Sequence, residues 1–494
     1  MSQLAGVQSR QRPGGDGAAL FDALSTVGAP TAPALLLPDG AVVDYAGLPA
    51  ITDGWCRALA ADRKSLVICL AGRNLATVAC YLAVLRLGHA VAMLDAGMPA
   101  AARDRFLAAY QPDFVAWCGD DGTAASGPPP GYRHRADPGT ATVWASTADP
   151  DGDLHPDLAL VLSTSGSTGN PKAVRLSYRN IETNSRAIAT SIGVVDTDRA
   201  VTALPLHFGY GLSVVSSHLI AGASVLVCAE RPTSRAFWRQ FAGAGGTNFP
   251  GVAPTYEILA GMASDLDSVP TLRSMTCSGS RLRDELVLSY AELMRRRGGR
   301  LFMMYGQTES TSRISCLDPG CLPERVGSVG TAIPGGRITI ADRDGLPPGS
   351  GGEIVYTGPN VMLGYARTRA DLVLGDVTGG VLHTGDLGYL DSGFLYLTGR
   401  RKRIAKVLGL RLSLDDIERL FEPDGTVAAV DAGDDGVQLF TEEPPARLDA
   451  ARSRVAAALG IPASLLTVRR VDRLPRTSNG KIDYLSLSER CRND

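Results

Sequence analysis

The sequence predicts an α/β protein in which a large N-terminal domain of α/β layers carries a β subdomain and precedes a small α+β domain. Three observations support this prediction. Short apolar runs alternate with longer helical patterns over residues 20–400, glycine-punctuated strand patterns begin near residue 325, and residues 414–459 contain two helical patterns around a hairpin pattern. We therefore expect a disordered tail at 1–19, an N-terminal domain at 20–400 and a C-terminal domain at 401–494.

Strands and helices alternate in the first part of the N-terminal domain. Residues 75–88 and 99–110 are predicted helices, and the continuously apolar runs around them are predicted buried strands at 65–72, 90–95 and 113–119. This order favours a largely parallel sheet, because helices usually connect parallel strands. Residues 120–157 are rich in Gly, Pro, Asp and Ala, which predicts exposed loops. A second α/β stretch includes the predicted helix 284–297.

Composition narrows the possible functions. The formal net charge is −2, with 45% apolar and 20% charged residues, so the chain has a globular composition and no overall field that would attract nucleic acid. The basic cluster at 400–403 is too short to change that expectation. Nine scattered cysteines favour a reducing cytoplasm, and Cys316 and Cys321, the closest pair, lack the second pair that a zinc site needs.

Residues 212–229 are the best candidate for a membrane span. The segment contains four serines, His218 and an Ala-Gly-Ala break, which favour a buried helix followed by a strand. The N-terminus lacks the apolar stretch of a signal peptide. We therefore expect no membrane span and a cytoplasmic location.

The loop at 163–172, STSGSTGNPK, is the most informative segment. Glycines let backbone N–H groups point inward, hydroxyl groups add donors, and the lysine supplies a positive charge, so the loop is predicted to hold phosphate oxygens. Its spacing matches neither a P-loop nor a dinucleotide-binding loop, and a flexible Ser/Gly linker is the alternative. The predicted phosphate-binding residues are Thr164, Ser165, Gly166, Ser167, Thr168, Gly169 and Lys172.

Four further motifs follow this loop: YGQTES at 305–310, HTGDLGYLD at 383–391, GRRKRIAKVLGLR at 399–411 and PRTSNGKID at 475–483. With the five motifs in this order, the chain resembles the ANL superfamily of adenylate-forming enzymes over nearly its whole length. The superfamily includes acyl- and aryl-CoA synthetases, adenylation domains and luciferases. The resemblance implies that a substrate carboxylate attacks the α-phosphate of ATP, expels pyrophosphate and forms an acyl-adenylate, with Mg²⁺ as the metal.

The resemblance also implies roles for individual residues. Thr308 would contact the α-phosphate, and Glu309 would bind Mg²⁺, which prefers carboxylate oxygens. Asp386 would accept both ribose hydroxyls with Arg400 behind it, and Lys481 would neutralise charge between the carboxylate and the α-phosphate. Taken alone, each motif has a structural alternative: a surface glutamate, a common turn or a solvated lysine. The other residues placed at the nucleotide site are Tyr305 and Lys406.

The basic segment resembles the hinge about which the small C-terminal domain of the superfamily moves between two half-reactions. Lys402 falls at the pivot position. Lys406 and Gly409 match the loop that turns toward the thiol tunnel in thioester-forming members, so a thiol acceptor is possible.

The acid pocket is expected around two short segments. His207 matches a histidine beside the carboxylate in acyl- and aryl-CoA synthetases, although a core histidine is the alternative. Gly209 replaces the aspartate of amino-acid-activating domains, so an α-ammonium group would lack a counter-charge. The second segment, 278–280, consists of small residues that leave room for a flat ring. This favours an aromatic or heteroaromatic acid. The predicted pocket residues are His207, Phe208, Gly209, Ser278, Gly279 and Ser280.

Three acyl acceptors remain open: CoA, the thiol of a separate carrier protein, and a free amine that would give an amide directly. We expect a free-standing enzyme, because the chain ends eleven residues after Asp483. The other candidate functions are a medium- or long-chain fatty acyl ligase, a nucleotide-binding homologue without turnover, and an ATP hydrolase or kinase that would release ADP.

Overall fold

The computed structural model describes residues 20–119, 127–163, 172–261, 266, 268–341, 351–400, 403–407, 410–433, 436–459, 461–477 and 481–492. The chain divides into two compact units. The first comprises Met1–Val326, Gly330–Arg337 and Thr357–Leu382, and the second comprises Gly327–Val329, Ile338–Tyr356 and His383–Asp494.

The strands are numbered in chain order. They are β1 Pro33–Leu36, β2 Val42–Asp44, β3 Leu66–Ala71, β4 Ala90–Asp95, β5 Phe114–Cys118, β6 Tyr132–Ala136, β7 Thr142–Ser146, β8 Leu158–Ser163, β9 Ala173–Ser177, β10 Arg199–Val201, β11 Ser224–Leu226, β12 Asn248–Gly251, β13 Ser274–Cys277, β14 Arg300–Tyr305, β15 Ser315–Cys316, β16 Thr331–Ala332, β17 Arg337–Ala341, β18 Gly352–Thr357, β19 Gly364–Ala366, β20 Val381–Asp391, β21 Phe394–Arg400, β22 Ile404–Val407, β23 Leu410–Ser413, β24 Val427–Asp431, β25 Val437–Thr441 and β26 Leu466–Arg470.

The helices are numbered in the same way. They are α1 Leu20–Val27, α2 Leu48–Ala58, α3 Leu75–Leu87, α4 Ala100–Tyr110, α5 Tyr178–Ile192, α6 Gly209–Leu219, α7 Arg235–Gly243, α8 Ala253–Leu259, α9 Asp284–Arg296, α10 Leu414–Phe421, α11 Pro445–Leu459 and α12 Tyr484–Arg492. Short 3₁₀ turns lie at Thr308–Ser310, Pro319–Cys321, Arg369–Val373 and Ala463–Leu465.

The first unit contains an eight-stranded sheet in the order β19-β9-β8-β4-β3-β5-β7-β6. Its centre, β8-β4-β3-β5, is parallel, and antiparallel strands extend it on both sides. The predicted strands at 65–72, 90–95 and 113–119 form β3, β4 and β5. The predicted helices form α3 and α4, and α3 begins where the Asn74 side chain accepts a hydrogen bond from the Thr77 amide at 3.0 Å.

The prediction of exposed loops over 120–157 was wrong for part of that range. Residues 132–136 and 142–146 form β6 and β7, and β7 pairs antiparallel with β5. The pairing buries Val143 and Trp144 against the parallel strands. β6 is an edge strand with mostly exposed side chains, so its composition carries no apolar alternation.

The second sheet of the first unit has nine strands in the order β16-β15-β14-β13-β12-β10-β11-β1-β2. Strands β1, β11, β10, β12, β13 and β14 run parallel. The segments that follow the carboxyl ends of parallel strands commonly carry the functional site of an α/β domain. Here those segments include His207 after β10, Ser278 after β13 and Thr308 after β14.

The second unit contains a four-stranded sheet in the order β17-β18-β20-β21, a β22–β23 hairpin and a β24-β25-β26 sheet. Helices α10, α11 and α12 accompany these strands, and the core beside α10 contains Ile417, Phe421, Leu439 and Val455. The predicted hairpins and helices of this region are therefore observed. The α/β fold class is confirmed.

Residues 212–229 include most of α6 and all of β11, so the predicted buried helix followed by a strand is observed. Within the described part of the chain, no helix is both long enough and apolar enough to cross a membrane.

Three buried cysteines lie together in the first unit: the sulfur atoms of Cys69, Cys80 and Cys118 are all within 4.8 Å of one another. Burial raises the pKa of the Cys118 thiol, which keeps it protonated.

Candidate active site

The loop after β14 is held in one conformation by its own backbone. A Cβ atom at Gly306 would lie 2.0 Å from the carbonyl oxygen of Ser312, so the loop turns back on itself too closely for a side chain. Thr308 and Glu309 occupy the 3₁₀ turn that follows. Thr311 has a φ of 64°, an uncommon conformation for a β-branched residue that the surrounding loop must stabilise.

Asn360 fastens this loop from a distant part of the chain. Its side-chain nitrogen donates hydrogen bonds to the backbone carbonyl oxygens of Ser310 at 2.9 Å and Arg313 at 2.8 Å. Its own backbone carbonyl oxygen accepts a hydrogen bond from Thr311 Oγ1 at 2.7 Å. The amide of Met362 donates to the carbonyl oxygen of Glu309 at 2.9 Å. The turn that presents Thr308 and Glu309 is therefore preorganised, which positions a catalytic group before a substrate binds.

Glu309 is linked to Lys172 through Tyr365. The Tyr365 hydroxyl donates to Glu309 Oε1 at 2.8 Å, and the Lys172 ammonium lies over the Tyr365 ring, 3.4 Å from its centroid. The antiparallel pairing of β9 with β19 places Tyr365 opposite Val174, two residues after Lys172. The Lys172 ammonium and the Glu309 carboxylate therefore contact the same aromatic side chain. Tyr365 was not among the site residues predicted from the sequence.

Tyr365 keeps its proton in this arrangement. Burial, reinforced by the Glu309 carboxylate, raises the pKa of Tyr365 above its ordinary value. The hydroxyl therefore remains a donor near neutral pH and orients the carboxylate. A lysine and an oriented carboxylate are the groups needed to hold a phosphate chain and a phosphate-bound Mg²⁺.

His207 and Phe208 lie just before α6. The His207 ring contacts the Phe208 ring at 4.2 Å between centroids, and its Nε2 atom is buried. Burial lowers the pKa of His207, and the Asp95 carboxylate partly opposes this shift, so the imidazole is neutral near pH 7. Gly209 begins the helix, and a Cβ atom there would lie 2.7 Å from the carbonyl oxygen of Thr311. The close approach of these two backbones explains the glycine.

The segment Ser278–Gly279–Ser280 follows β13, as Thr308 follows the neighbouring β14. Ser278 is buried and its amide donates to the carbonyl oxygen of Gly251 at 3.3 Å. Gly279 has a φ of 90°, which favours glycine. The small residues of this segment are consistent with the room predicted for an acid.

Several polar atoms of these segments are buried without a hydrogen-bond partner among the described residues. They are His207 Nε2, Ser280 Oγ and Gln307 Nε2. Buried polar atoms are usually paired, so a group of unpaired ones beside predicted site residues indicates a place for a polar ligand. Their donor and acceptor chemistry fits a carboxylate and a nucleotide.

A second cluster lies in the second unit. Asp386 on β20 and Arg400 on β21 face each other in the strand register, and Arg400 Nε lies 3.0 Å from Asp386 Oδ1. The Asp386 side chain is buried, whereas that of Arg400 is largely exposed. The carboxylate is therefore fixed in position by the sheet and by the arginine, which suits the recognition of a vicinal diol.

Lys481 belongs to the same unit. Its carbonyl oxygen accepts hydrogen bonds from the amide and the hydroxyl of Thr477, at 2.8 and 3.1 Å. Burial and the positive charge of Arg400 lower the pKa of Lys481 to about 8, and Asp386 partly opposes this shift. A lysine with a pKa perturbed by burial and by a neighbouring charge is a candidate for a functional role.

Other predicted residues cannot be placed. Thr164, Ser165, Gly166, Ser167, Thr168 and Gly169 lie outside the described residues, as does Lys402. Lys406 lies on β22, where only its backbone is described. Tyr305 ends β14 and is buried.

Comparison with known proteins places the chain in one family. A family profile described as AMP-binding enzyme matches residues 45–366. The 2-succinylbenzoate–CoA ligase of Bacillus velezensis is 30% identical over 372 residues, which cover 71% of this chain and 74% of that ligase. The hybrid PKS-NRPS synthetase TAS1 of Cordyceps militaris is 29% identical over 483 residues, which cover 90% of this chain. The chain spans only 29% of the length of that synthetase.

A solved structure has the same fold. The O-succinylbenzoate coenzyme A synthetase MenE from Bacillus subtilis, in complex with ATP and magnesium ion, superposes with a TM-score of 0.73. It is 25% identical to this chain, and the match covers 95% of this chain and 99% of that one.

Proposed function

Because this chain belongs to the family of AMP-binding enzymes, we propose that it is an ATP-dependent carboxylic acid ligase. It joins the acid to AMP, releases pyrophosphate, and then transfers the acyl group from the acyl-adenylate to an acceptor. The observation that supports this most directly is the Lys172–Tyr365–Glu309 arrangement. It supplies a cation and an oriented carboxylate, and the cation is the last residue of a sequence motif rich in hydroxyls and glycines.

In the adenylation step, Lys172 and the preceding loop bind the β- and γ-phosphates, and Thr308 contacts the α-phosphate. Glu309 would hold Mg²⁺, which would supply positive charge to the phosphate oxygens. Most of the catalytic contribution comes from position and charge, because the acid itself is the nucleophile.

His207 orients the acid beside the nucleotide. Its neutral imidazole can donate to a carboxylate oxygen without adding a proton to the nucleophile. Gly209 and Ser278–Ser280 leave space for the body of the acid, and they favour an aromatic or heteroaromatic one over a long alkyl chain. The relative from B. velezensis is named for an aromatic acid.

In the second unit, Asp386 accepts the ribose hydroxyls while Arg400 holds its carboxylate in place. Lys481 acts as a cation against the charge that develops between the carboxylate and the α-phosphate. Its pKa of about 8 leaves it mostly protonated at pH 7.

We place the domain boundary near residue 400 and the hinge at Lys402, about which 401–494 moves between the two half-reactions.

CoA is the first choice of acceptor, because the relatives are named as CoA ligases. A carrier-protein thiol and a free amine are the alternatives, and Lys406 lies on the segment that would face the acceptor thiol. A ligase that consumes ATP and CoA needs both in its compartment, so we place it in the cytoplasm.

The experiment follows the products of ATP in the presence of Mg²⁺ and a panel of aryl, heteroaryl and alkyl acids. Each acid is supplied alone, with CoA and with a simple amine. We expect acid-dependent AMP and pyrophosphate, with faster turnover when the correct acceptor is present. Release of ADP and phosphate without any acid would instead identify an ATP hydrolase, and a preference for long alkyl acids would identify a fatty acyl ligase.

A further inference from the structure

A cavity lies in the first unit between α5, α6 and the strands β10, β12, β13 and β14. It is partly open and narrow, with a volume of about 20 Å³. Ile188, Ile192 and Met304 form an apolar wall, and the opposite side carries polar side chains from α6 and from the loop after β14. A cavity of this volume has room for one small polar group, such as the end of a ligand or a water molecule.

Arg313 lines this cavity and carries an unpaired charge. The residue is 1% exposed, and its Nε and Nη1 atoms have no hydrogen-bond partner among the described residues. The guanidinium lies over the Tyr210 ring, 4.5 Å from its centroid. None of the described residues that line the cavity is an aspartate or a glutamate.

A buried guanidinium without a carboxylate is costly, because its desolvation is not offset by an opposite charge. The Tyr210 ring compensates only in part, since a cation–π contact is weaker than the pairing of a guanidinium with a carboxylate. The backbone around Arg313 is nevertheless fixed, because its carbonyl oxygen accepts from Asn360 at 2.8 Å. The guanidinium therefore lies over the Tyr210 ring at the cavity, where an anion would form an ion pair with it.

His218 adds a second unpaired group to the same cavity. Its Nδ1 atom lies 2.9 Å from the carbonyl oxygen of Val214, which can only accept, so Nδ1 carries the proton. Nε2 is left as a buried acceptor that no described residue pairs with. A small donor beside the anion, such as a water molecule that hydrates it, would satisfy this atom.

The cavity adjoins the segments that carry the predicted acid site. Tyr210 follows Gly209 directly, and Thr276 lies two residues before Ser278. The cavity-lining residues Tyr210, Ser213, Val214, Ser217 and His218 lie on one face of α6, at spacings of three and four residues from its first turn. An acid bound beside His207 and lying along α6 would therefore bring only its remote end group to the cavity.

We propose that Arg313 binds a second carboxylate at the end of the acid remote from the carboxylate that is adenylated. The substrate class is then a dicarboxylic acid, and Arg313 is its specificity-determining residue. This inference rests on the proposed function, since it concerns the acid of the same reaction. The name of the B. velezensis relative, which is that of an aromatic diacid, agrees with this class.

The test uses acids that differ only in a remote carboxylate or a methyl group in its place. The pairs are terephthalate with 4-methylbenzoate, glutarate with pentanoate, and 2-succinylbenzoate with 2-butyrylbenzoate. Binding of each acid is measured by calorimetry without ATP, and kcat/KM is measured by pyrophosphate release. The wild-type protein, Arg313→Met, Arg313→Lys and the exposed-site control Arg295→Met are compared.

At least one diacid should be favoured over its partner by the wild-type protein. Arg313→Met should lower the affinity and the kcat/KM for that diacid by about 30-fold or more, and leave its methyl partner nearly unchanged. Arg313→Lys should retain part of the preference for the diacid over its methyl partner. The melting temperature of Arg313→Met should not fall, because the variant removes an unpaired buried charge.

The outcomes separate the inference from the proposed function. Equal use of both members of every pair, unaffected by Arg313→Met, would overturn the inference and leave the ligase function intact. Diacid binding that depends on Arg313 without any pyrophosphate release would support the inference and overturn the ligase function. No binding and no turnover with any acid would overturn both. Unfolding of both Arg313 variants would show a structural role instead.

Discussion

Asp386 and Arg400 are directly opposed in an antiparallel strand pair, and their side chains meet at 3.0 Å. The sheet fixes both backbones, and the Asp386 side chain is buried, so little of that side chain has to be ordered when a ligand binds. This arrangement presents a buried carboxylate in a defined orientation, with the exposed arginine as its partner. We propose that this carboxylate accepts the ribose hydroxyls of ATP.

Asp386→Ala should raise the KM for ATP by about 10- to 100-fold, because hydrogen bonds to a charged group contribute about 1.5–3 kcal/mol each. The kcat should fall much less. The matched control is Asp391→Ala, at the far end of the same strand. Steady-state kinetics with varied ATP make the comparison, and an unchanged KM in Asp386→Ala would refute the ribose contact.

Lys481→Ala should lower the rate of adenylate formation by about 100-fold or more, because it removes a preorganised charge from the transition state. Transfer of the acyl group from a supplied acyl-adenylate should be affected far less. Quenched-flow measurements of the two half-reactions make this distinction. Equal losses in both would show that Lys481 supports the fold instead of the first step.

The pH dependence tests the same residue independently. Burial and Arg400 lower the pKa of Lys481 to about 8, so the ammonium is present below that pH and is lost above it. The rate of adenylation should therefore decline as the pH rises through about 8. Lys481→Arg, whose guanidinium stays charged, should remove this decline whatever its absolute rate. A decline that persists in Lys481→Arg would assign it to another group.

Tyr365→Phe should raise the Mg²⁺ concentration needed for half-maximal activity by about 10-fold, because Glu309 loses the hydrogen bond that orients it. The ring under Lys172 is retained in this variant. Tyr365→Leu removes both contacts and should also raise the KM for ATP. If Tyr365→Phe titrates with Mg²⁺ as the wild-type protein does, Tyr365 does not orient the metal ligand.

Arg403 anchors the start of the described C-terminal segment. It lies 3.7 Å from the Tyr484 ring centroid, donates to Glu418 at 2.8 Å and forms a second ion pair with Asp415. Arg403→Met should lower the free energy of unfolding of the second unit by about 1–3 kcal/mol, because the partly buried carboxylates of Glu418 and Asp415 lose their charged partner. The exposed pair of Arg447 with Glu443 provides the control.

Denaturant unfolding followed by hydrogen exchange would locate that loss. Arg447→Met should change stability by about 1 kcal/mol or less, since exposed pairs contribute little. Similar stabilities of the Arg403 and Arg447 variants would contradict the anchoring role.

The elements with continuous apolar runs could be predicted from the sequence, and β4 occupies residues 90–95 as expected. A central parallel strand is buried on both faces, so its composition identifies it without knowledge of its neighbours. β6 and β7 could not be identified in this way. They are strands because β7 pairs with β5 and β6 pairs with β7, and the pairing of β7 with β5 is a long-range property.

The same reason limits what the sequence predicts about the site. Thr308, Glu309, Asp386 and Lys481 lie in motifs, so the resemblance to a family identifies them. Tyr365 contacts Glu309 only because β19 pairs with β9, and Asn360 is remote in sequence from the loop that it fastens. The signal available in the sequence was Tyr365 itself, in an NVMLGYAR segment with no motif assigned to it.

Arg313 and the three clustered cysteines show a further limit of what the sequence alone predicts. A charged residue in a sequence gives no sign that it is buried without a partner, and only the cavity reveals it. Cys69, Cys80 and Cys118 come from β3, α3 and β5, so no short spacing links them.

Exchange of labelled pyrophosphate into ATP is the most direct test of the central claim, because it requires reversible formation of an acyl-adenylate. The wild-type protein should exchange label only when Mg²⁺ and a suitable acid are both present, and Lys481→Ala should lose the exchange. Exchange without acid, or no exchange with any acid while ATP is converted to ADP, would contradict a carboxylate-adenylating ligase.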